Sequence, residues 1–379
     1  MKIVIAPDSF KGSLTAAQAC AAIEDGVRKA LPEAETVTVP MADGGEGTMQ
    51  SLIDGLGGSI VECEADDPLG RAHMAAYGLT RGGTAVIEMA QASGLTLLGE
   101  NERNPLLAST YGTGQLIHDA LDRGARDFII GIGGSATNDG GAGMAQALGY
   151  RLLDAAGNDL PPGGGALLRL CRIESLNADS RLAESRFTVA CDVDNPLTGE
   201  RGASAVFGPQ KGASAEMAVL LDKALARYAG CILADLRMDV ACIPGAGAAG
   251  GLGAGCIAFL GAELRRGVDI VIDATGLSEK LGGAALVITG EGRTDSQTLS
   301  GKTAYGVSRL AKSLGTPVVL ISGSLAIGAD ELLECGICRV YSLMDDGTGL
   351  DEAMRNGAAL LRGKAERAIR EFFDTGGVA

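Results

Sequence analysis

The sequence predicts an α/β protein built on a parallel sheet and interrupted by a mixed-sheet middle section. Three observations carry that prediction. Short apolar runs alternate with amphipathic helical patterns at both ends of the chain. Polar, glycine-rich loops follow several of those runs directly. In the middle, strand patterns succeed one another without intervening helices.

Residues 2–6 read as a buried strand. A helix over 15–30 follows, opened by the capping box Thr15-x-x-Gln18. Ala19, Cys20, Ile23, Val27 and Leu31 recur on its apolar face with a period near 3.6. A strand at 36–39 and a helix at 47–56 complete a β-α-β-α opening, which calls for a parallel sheet with helices on its faces. Runs at 59–64, 72–79 and 84–89 predict a partly antiparallel sheet. Residues 161–165 read as a loop and 214–229 as a helix. The alternation returns with strands at 268–272 and 285–289, a helix at 303–314, and strands at 317–321 and 338–342. A last helix spans 351–373, striped by Leu350, Met354, Ala358, Leu361, Ala365, Ile369 and Phe372. A regular start, a mixed middle and a regular end suggest an insertion that splits one α/β domain.

Composition narrows the function. A chain of 379 residues has room for two or three domains, and 46% apolar residues can fill their cores. The 58 glycines, about twice the usual share, are spread through loops and do not form a low-complexity tract. Tryptophan is absent and aromatics are 3%, so stacking platforms for nucleic acid are not expected. A net charge of −15 also argues against a phosphate-backbone partner. The apolar run Ile3–Ala6 is too short for a signal peptide. Val240–Ala262 carries no charge, but its seven glycines and one proline read as a loop and a tightly packed helix, so no membrane span is expected. Nine scattered cysteines, an odd number, suit reduced thiols in the cytoplasm. Cys335-Gly-Ile-Cys338 reads as two small core residues flanking a turn. Two histidines leave proton transfer to Asp, Glu or Lys.

In an open parallel sheet, ligands bind beyond the carboxyl ends of the strands. Five loops at such positions hold the candidate residues. The first holds Asp8, Ser9 and Lys11; Lys11 suits a phosphate or carboxylate, and an Asp8–Lys11 surface pair is the bland alternative. The second holds Asp43, a turn residue, a helix cap or a magnesium ligand. The third runs Gly131-Ile-Gly133-Gly134-Ser135-Ala-Thr137-Asn138-Asp139. Its backbone and hydroxyls suit an anion. The fourth carries Asp192, a candidate base for a hydroxyl proton, ahead of Asp194-Asn195-Pro196. The fifth holds Glu291, Arg293 and Asp295, either a cation-and-phosphate site or a self-neutralising turn. Lys211 is a further isolated cation. Ser296-Gln-Thr-Leu-Ser-Gly301-Lys302-Thr303 misses the first glycine of a P-loop. Lys302 is kept as a phosphate contact, against the alternative of a solvated lysine. Gly131-Ile-Gly133-Gly-Ser-Ala136 and Gly245-Ala-Gly247-Ala-Ala-Gly250 mimic dinucleotide fingerprints, so a nicotinamide-dependent oxidoreductase of hydroxy acids is the alternative reading. A non-catalytic carboxylate sensor is a third.

Six segments, taken together and in order, resemble the bacterial type 1 glycerate kinase family from residue 1 to about 373. They are Ala6–Thr15, Ala42–Thr48, Gly131–Gly140, Cys191–Thr198, Phe207–Lys211 and Thr289–Gln297. The resemblance implies ATP-dependent phosphorylation of D-glycerate at the 2-hydroxyl, giving 2-phospho-D-glycerate. It implies a discontinuous flavodoxin-like domain, set at 1–65 plus 284–379, and an inserted α/β domain at 66–283, with the active site in the cleft between them. A homo-oligomer is left open. Within magnesium-assisted transfer, catalysis is mostly positioning and charge neutralisation. Asp192 is then expected to take the hydroxyl proton, and Lys11 and Lys211 to neutralise anionic groups. Asp43, Glu291 and Asp295 are expected to meet Mg²⁺. Asp8, Ser9, Gly133, Gly134, Ser135, Thr137, Asn138, Arg293 and Lys302 are expected to bind substrate or phosphate.

Overall fold

The computed structural model describes residues 1–295, 302–326, 332 and 335–374. Its strands, in chain order, begin with β1 (Lys2–Ile5), β2 (Glu35–Thr38), β3 (Gly58–Asp66) and β4 (Ala72–Thr80). Next come β5 (Thr84–Glu88), β6 (Asp127–Gly131), β7 (Arg151–Leu153), β8 (Arg172–Glu174) and β9 (Arg186–Ala190). The last are β10 (Glu263–Arg265), β11 (Leu286–Thr294), β12 (Val318–Leu325) and β13 (Ile337–Ser342). The chain forms two compact units. Unit 1 comprises Met1–Asp43, Gln50–Gly57 and the chain from Arg266 onward; unit 2 comprises Gly44–Met49 and Gly58–Arg265.

Unit 1 is built on the five-stranded sheet β13-β12-β11-β1-β2, every pair parallel. Numbered within the unit, that order is 2-1-3-4-5 read from the β2 edge, the flavodoxin-like arrangement. Ile3, Ile5, Leu286, Ile288, Val319 and Ile321 form one side of its core with Ile23, Val27, Leu361 and Ile369 of two helices. Those helices, Ala16–Ala30 and Gly357–Asp374, approach closely at Gly26, where a Cβ would stand 2.3 Å from the Arg362 carbonyl. The capping box is present: Thr15 Oγ1 accepts from Gln18 N–H at 3.2 Å, and Gln18 Oε1 accepts from Thr15 N–H at 2.9 Å.

Unit 2 holds the six-stranded sheet β10-β9-β6-β5-β4-β3. β3, β4 and β5 pair antiparallel, and β5, β6, β9 and β10 pair parallel, so the sheet is mixed as the run of consecutive strands predicts. A two-stranded ribbon, β7–β8, packs apart from it. Leu116, Ile117, Phe128, Ile130 and Val189 fill one side of the main core.

Three expectations are corrected. Residues 268–272, read as a strand from their Val/Ile content, form the helix Gly267–Thr275. Asp269 and Asp273 stand four apart and one turn from each other, while Val268, Val271 and Ile272 are buried; Gly276 ends the helix with φ 64°. Tertiary packing overrides β propensity here. The last helix breaks at Asn356 into Leu350–Arg355 and Gly357–Asp374. Gly357 lets the Ser13 side chain approach the break, since a Cβ there would lie 2.5 Å from Ser13 Oγ. Finally, the 65/66 and 283/284 boundaries do not match the units. β3 pairs along its whole length with β4 through a tight turn that Asp67 holds by accepting from the N–H groups of Leu69 and Arg71. The helices Gly267–Thr275 and Leu277–Leu281 belong to unit 1.

Candidate active site

In unit 1, the chain leaves β1 toward β2 and leaves β11 toward β12, on opposite sides, although β1 and β11 are neighbours. Such a switch point opens a crevice beyond the carboxyl ends of the strands. β11 and β12 pair beyond the end of β1, from Gly290–Ile321 to Thr294–Leu325, so Glu291 and Arg293 ride on strand. The glycines of Thr289-Gly-Glu-Gly-Arg allow close approach. A Cβ on Gly290 would lie 3.3 Å from the Phe10 ring, and one on Gly292 would lie 3.2 Å from Lys11 N. A cavity of about 460 Å³ results, lined by Asp8, Ser9, Lys11, Asp43, Glu291, Arg293 and Lys302 together with an apolar wall. Seven residues from four separate segments of sequence thus share one cavity. Asp295 is not among its lining residues. It stands 3.5 Å from Arg293 Nε and 3.6 Å from Lys302 Nζ, where it holds the two cations.

Asp8 is buried at the floor of this cavity. Its Oδ1 accepts from Ser9 N–H at 2.6 Å, and its Oδ2 from Thr303 Oγ1 at 2.5 Å. Burial, and then the charge of Asp43, raise its carboxyl to about 6 against the lowering effect of those hydrogen bonds and Lys11. The folded state therefore holds the proton more tightly than the unfolded chain. Stability falls as pH rises from about 4 to about 6, and a deficit of up to about 3 kcal/mol persists above that window. Asp8→Asn is accordingly expected to be more stable than the parent at pH 7, with the difference shrinking toward pH 4. Denaturant midpoints at the two pH values check this; a variant less stable at pH 7 would remove the burial account.

Unit 2 arranges its loops differently. The segment after β6 folds around a buried lysine. Lys211 is 1% exposed, and its Nζ donates to Ser135 Oγ at 2.7 Å and to the Thr137 carbonyl at 2.8 Å. Burial pushes its amine down to about 7, with Asp139 acting in the opposite direction. Asp139 is itself buried and raised by burial, although it accepts from Thr110 N–H, Thr110 Oγ1, Gly141 N–H and Gly143 N–H. Asn138 Nδ2 donates to Ser204 Oγ at 3.0 Å. Ser135, Thr137 and Asn138 therefore lie beneath the surface, with Thr137 Oγ1 and Asn138 Oδ1 lacking a hydrogen-bond partner among the described residues, while Gly133 and Gly134 are exposed.

Those two glycines line a second cavity, of about 350 Å³, with Glu46, His73, Glu88 and Gly131. Glu88 was not singled out in the sequence. It ends β5, lies buried, and accepts from Met49 N–H at 2.9 Å and from the N–H groups of Gly47 and Thr48. Burial raises its carboxyl. A lone acid closing an apolar strand was the available signal. Asp192 sits two residues beyond β9, exposed, and lines neither cavity. Asp194 beside it pairs with Arg201 at 2.7 Å.

The profile of the Glycerate kinase family matches residues 3–372, nearly the whole chain. The chain belongs to the glycerate kinase family. It is 54% identical over 371 residues to the glycerate kinase of Halalkalibacterium halodurans, covering 98% of this chain and 97% of that one. It is 51% identical over 356 residues to the glycerate 2-kinase of Escherichia coli K12, covering 94% and 93%. A crystal structure assigned to glycerate kinase 2 of Salmonella typhimurium LT2 superposes with a TM-score of 0.92 at 49% identity, covering 99% of each chain. As a glycerate kinase family member the chain is an enzyme, and the nicotinamide alternative finds no support. After Gly131–Ala136 the next helix begins only at Ala142, and no strand directly precedes Gly245–Gly250. Neither segment forms the strand–turn–helix that a dinucleotide fingerprint needs. Among the described residues, no helix is long and apolar enough to cross a membrane.

Proposed function

We propose that this protein transfers the γ-phosphoryl group of ATP to the 2-hydroxyl of D-glycerate, giving 2-phospho-D-glycerate and ADP. One observation carries the reading within the family: Lys11, Arg293 and Lys302 converge with Asp8, Asp43 and Glu291 on one cavity at a sheet switch point. Cations there neutralise phosphate oxygens, and positioning plus charge neutralisation is most of what phosphoryl transfer requires. The 2-position rests on the name of the E. coli relative, glycerate 2-kinase.

The donor set fits magnesium. Asp43 already repels Asp8, a tension that a divalent cation relieves. Among the described residues, no three His, Cys, Asp or Glu side chains could hold a metal by themselves. Magnesium needs no such cage, since it takes one or two carboxylates plus substrate phosphates and waters. Asp43 and Glu291 would hold it, with Asp295 fixing the adjacent cations. When bound, it would supply charge neutralisation on the phosphates.

Asp192 accepts the 2-hydroxyl proton as the oxygen attacks, from a position beyond a parallel strand end. Gly133 and Gly134 offer backbone to an anion. Lys211 acts from below by holding Ser135 and the Thr137 carbonyl in place.

A coupled ADP-release assay with D-glycerate, ATP and Mg²⁺, its product resolved by phosphorus NMR, tests the reading. A 2-phosphoglycerate signal is expected. A 3-phosphoglycerate signal would correct the hydroxyl, and absence of turnover would remove the substrate assignment.

A further inference from the structure

The unit 1 cavity has two kinds of wall, and only one of them is accounted for by phosphate chemistry. Beside the charged groups stand Phe10, Leu343, Met344, Leu350, Ala353 and Met354. Phe10, Leu343 and Ala353 are buried, as core residues should be, but Leu350 is 59% and Met354 40% exposed. On the helix Leu350–Arg355, Leu350, Ala353 and Met354 fall at i, i+3 and i+4, one face of the helix. The outer two thus keep much of their apolar surface uncovered.

The apolar wall is also fastened to the cationic loop. Ser13 Oγ donates to the Met354 carbonyl at 2.8 Å across 341 residues of sequence. A Cβ on Gly12, which has φ 78°, would come 2.8 Å from Met354 Cε. The turn that carries Lys11 and the helix that carries Met354 are thus held against one another.

We propose that this cavity seats the purine of the nucleotide against Met344, Leu350 and Met354, with the polyphosphate leading to Lys11, Arg293 and Lys302. The proposal rests on the phosphotransfer reading above and adds where the nucleotide lies. A three-carbon hydroxy acid has no apolar face to cover this wall, whereas a purine has two, and methionine adapts readily to a flat ring. The volume of about 460 Å³ lies in the range of small-molecule sites. The unit 2 cavity is the poorer candidate. Glu46 and Glu88 line it with no Lys or Arg beside them among the described residues, whereas in the unit 1 cavity Lys11, Arg293 and Lys302 offset the carboxylates.

The test compares ATP with inorganic tripolyphosphate, both titrated calorimetrically into the full chain with Mg²⁺ present. Leu350→Gln combined with Met354→Gln is expected to weaken ATP binding about 10-fold or more and to leave tripolyphosphate affinity within about 2-fold. Both side chains are solvent-exposed, so the unliganded melting temperature should not move. Unchanged ATP affinity, or equal losses for both ligands, would overturn the base seat. Photolabelling with 8-azido-ATP gives an independent readout. Label in the peptide spanning 343–354 is expected, and label confined to residues 88–97 or 131–134 would overturn the proposal. Neither experiment uses glycerate. A protein that binds ATP as described but does not phosphorylate D-glycerate would therefore sink the substrate assignment and keep the seat. A working kinase whose double variant retains ATP affinity would do the reverse.

Discussion

Asp192→Asn is expected to lower kcat by about 10²–10⁴-fold, the usual worth of a positioned general base. The melting temperature should not change. Asp192 is exposed, and substitutions on exposed surface usually move stability by less than about 0.5 kcal/mol. Asparagine keeps the volume and the accepting oxygen and loses only the ability to take a proton. The loss should therefore fall on kcat and leave the KM for D-glycerate nearly unchanged. Asp194→Asn is the matched control. Its carboxylate pairs with Arg201 at 2.7 Å, so its loss costs a surface ion pair and little turnover. Steady-state kinetics of both variants decide the matter. Near-normal turnover of Asp192→Asn with an intact fold would take the proton-accepting role away from this residue.

What could be read from the sequence was local. Thr15 and Gln18 announce a helix start that forms as read, because both partners lie within four residues. Loops that directly follow strands announce Asp8, Lys11 and Asp43; Glu291 and Arg293, read as loop, ride on β11 where it runs on past β1, and a parallel sheet brings all five to one edge. What could not be read was decided at a distance. Lys211 follows Gly208-Pro-Gln and by composition belongs in solvent. It is buried because Ser135 and the Thr137 carbonyl, 76 and 74 residues away, receive its ammonium. Glu88 has no motif at all. Its partners are backbone N–H groups about 40 residues earlier, and backbone leaves no signature in sequence. The helix Gly267–Thr275 was masked by β-branched residues, whose burial on one face outweighs their preference for strands.

Gly250→Ala is expected to destabilise unit 2 by about 3 kcal/mol, from overpacking together with a left-handed backbone on a residue that resists it. The literal GxGxxG at 245–250 serves close packing. Ala249, Gly250 and Gly251 take φ of 53°, 69° and 89° within the segment Ala248–Leu260. That turn lays the segment on the loop after β6, and Gly140 N–H donates to the Gly250 carbonyl at 3.0 Å. A Cβ on Gly250 would stand 2.0 Å from the Thr137 carbonyl oxygen, the same oxygen that accepts from Lys211. Backbone must move, and the loop carrying Gly133 and Gly134 should move with it. Activity is thus expected to fall along with stability. At about 2–4 °C per kcal/mol for a unit of this size, the melting temperature should drop by roughly 6–12 °C. Gly230→Ala calibrates the experiment. Gly230 lies in the helix Ala215–Leu236, and an added Cβ there meets nothing within 4 Å. Alanine should stabilise that helix by about 0.5–1 kcal/mol. If Gly250→Ala melted no lower than the parent, the segment 245–255 would not be packed on the loop as described. The account of this GxGxxG as a packing device would then have to be replaced.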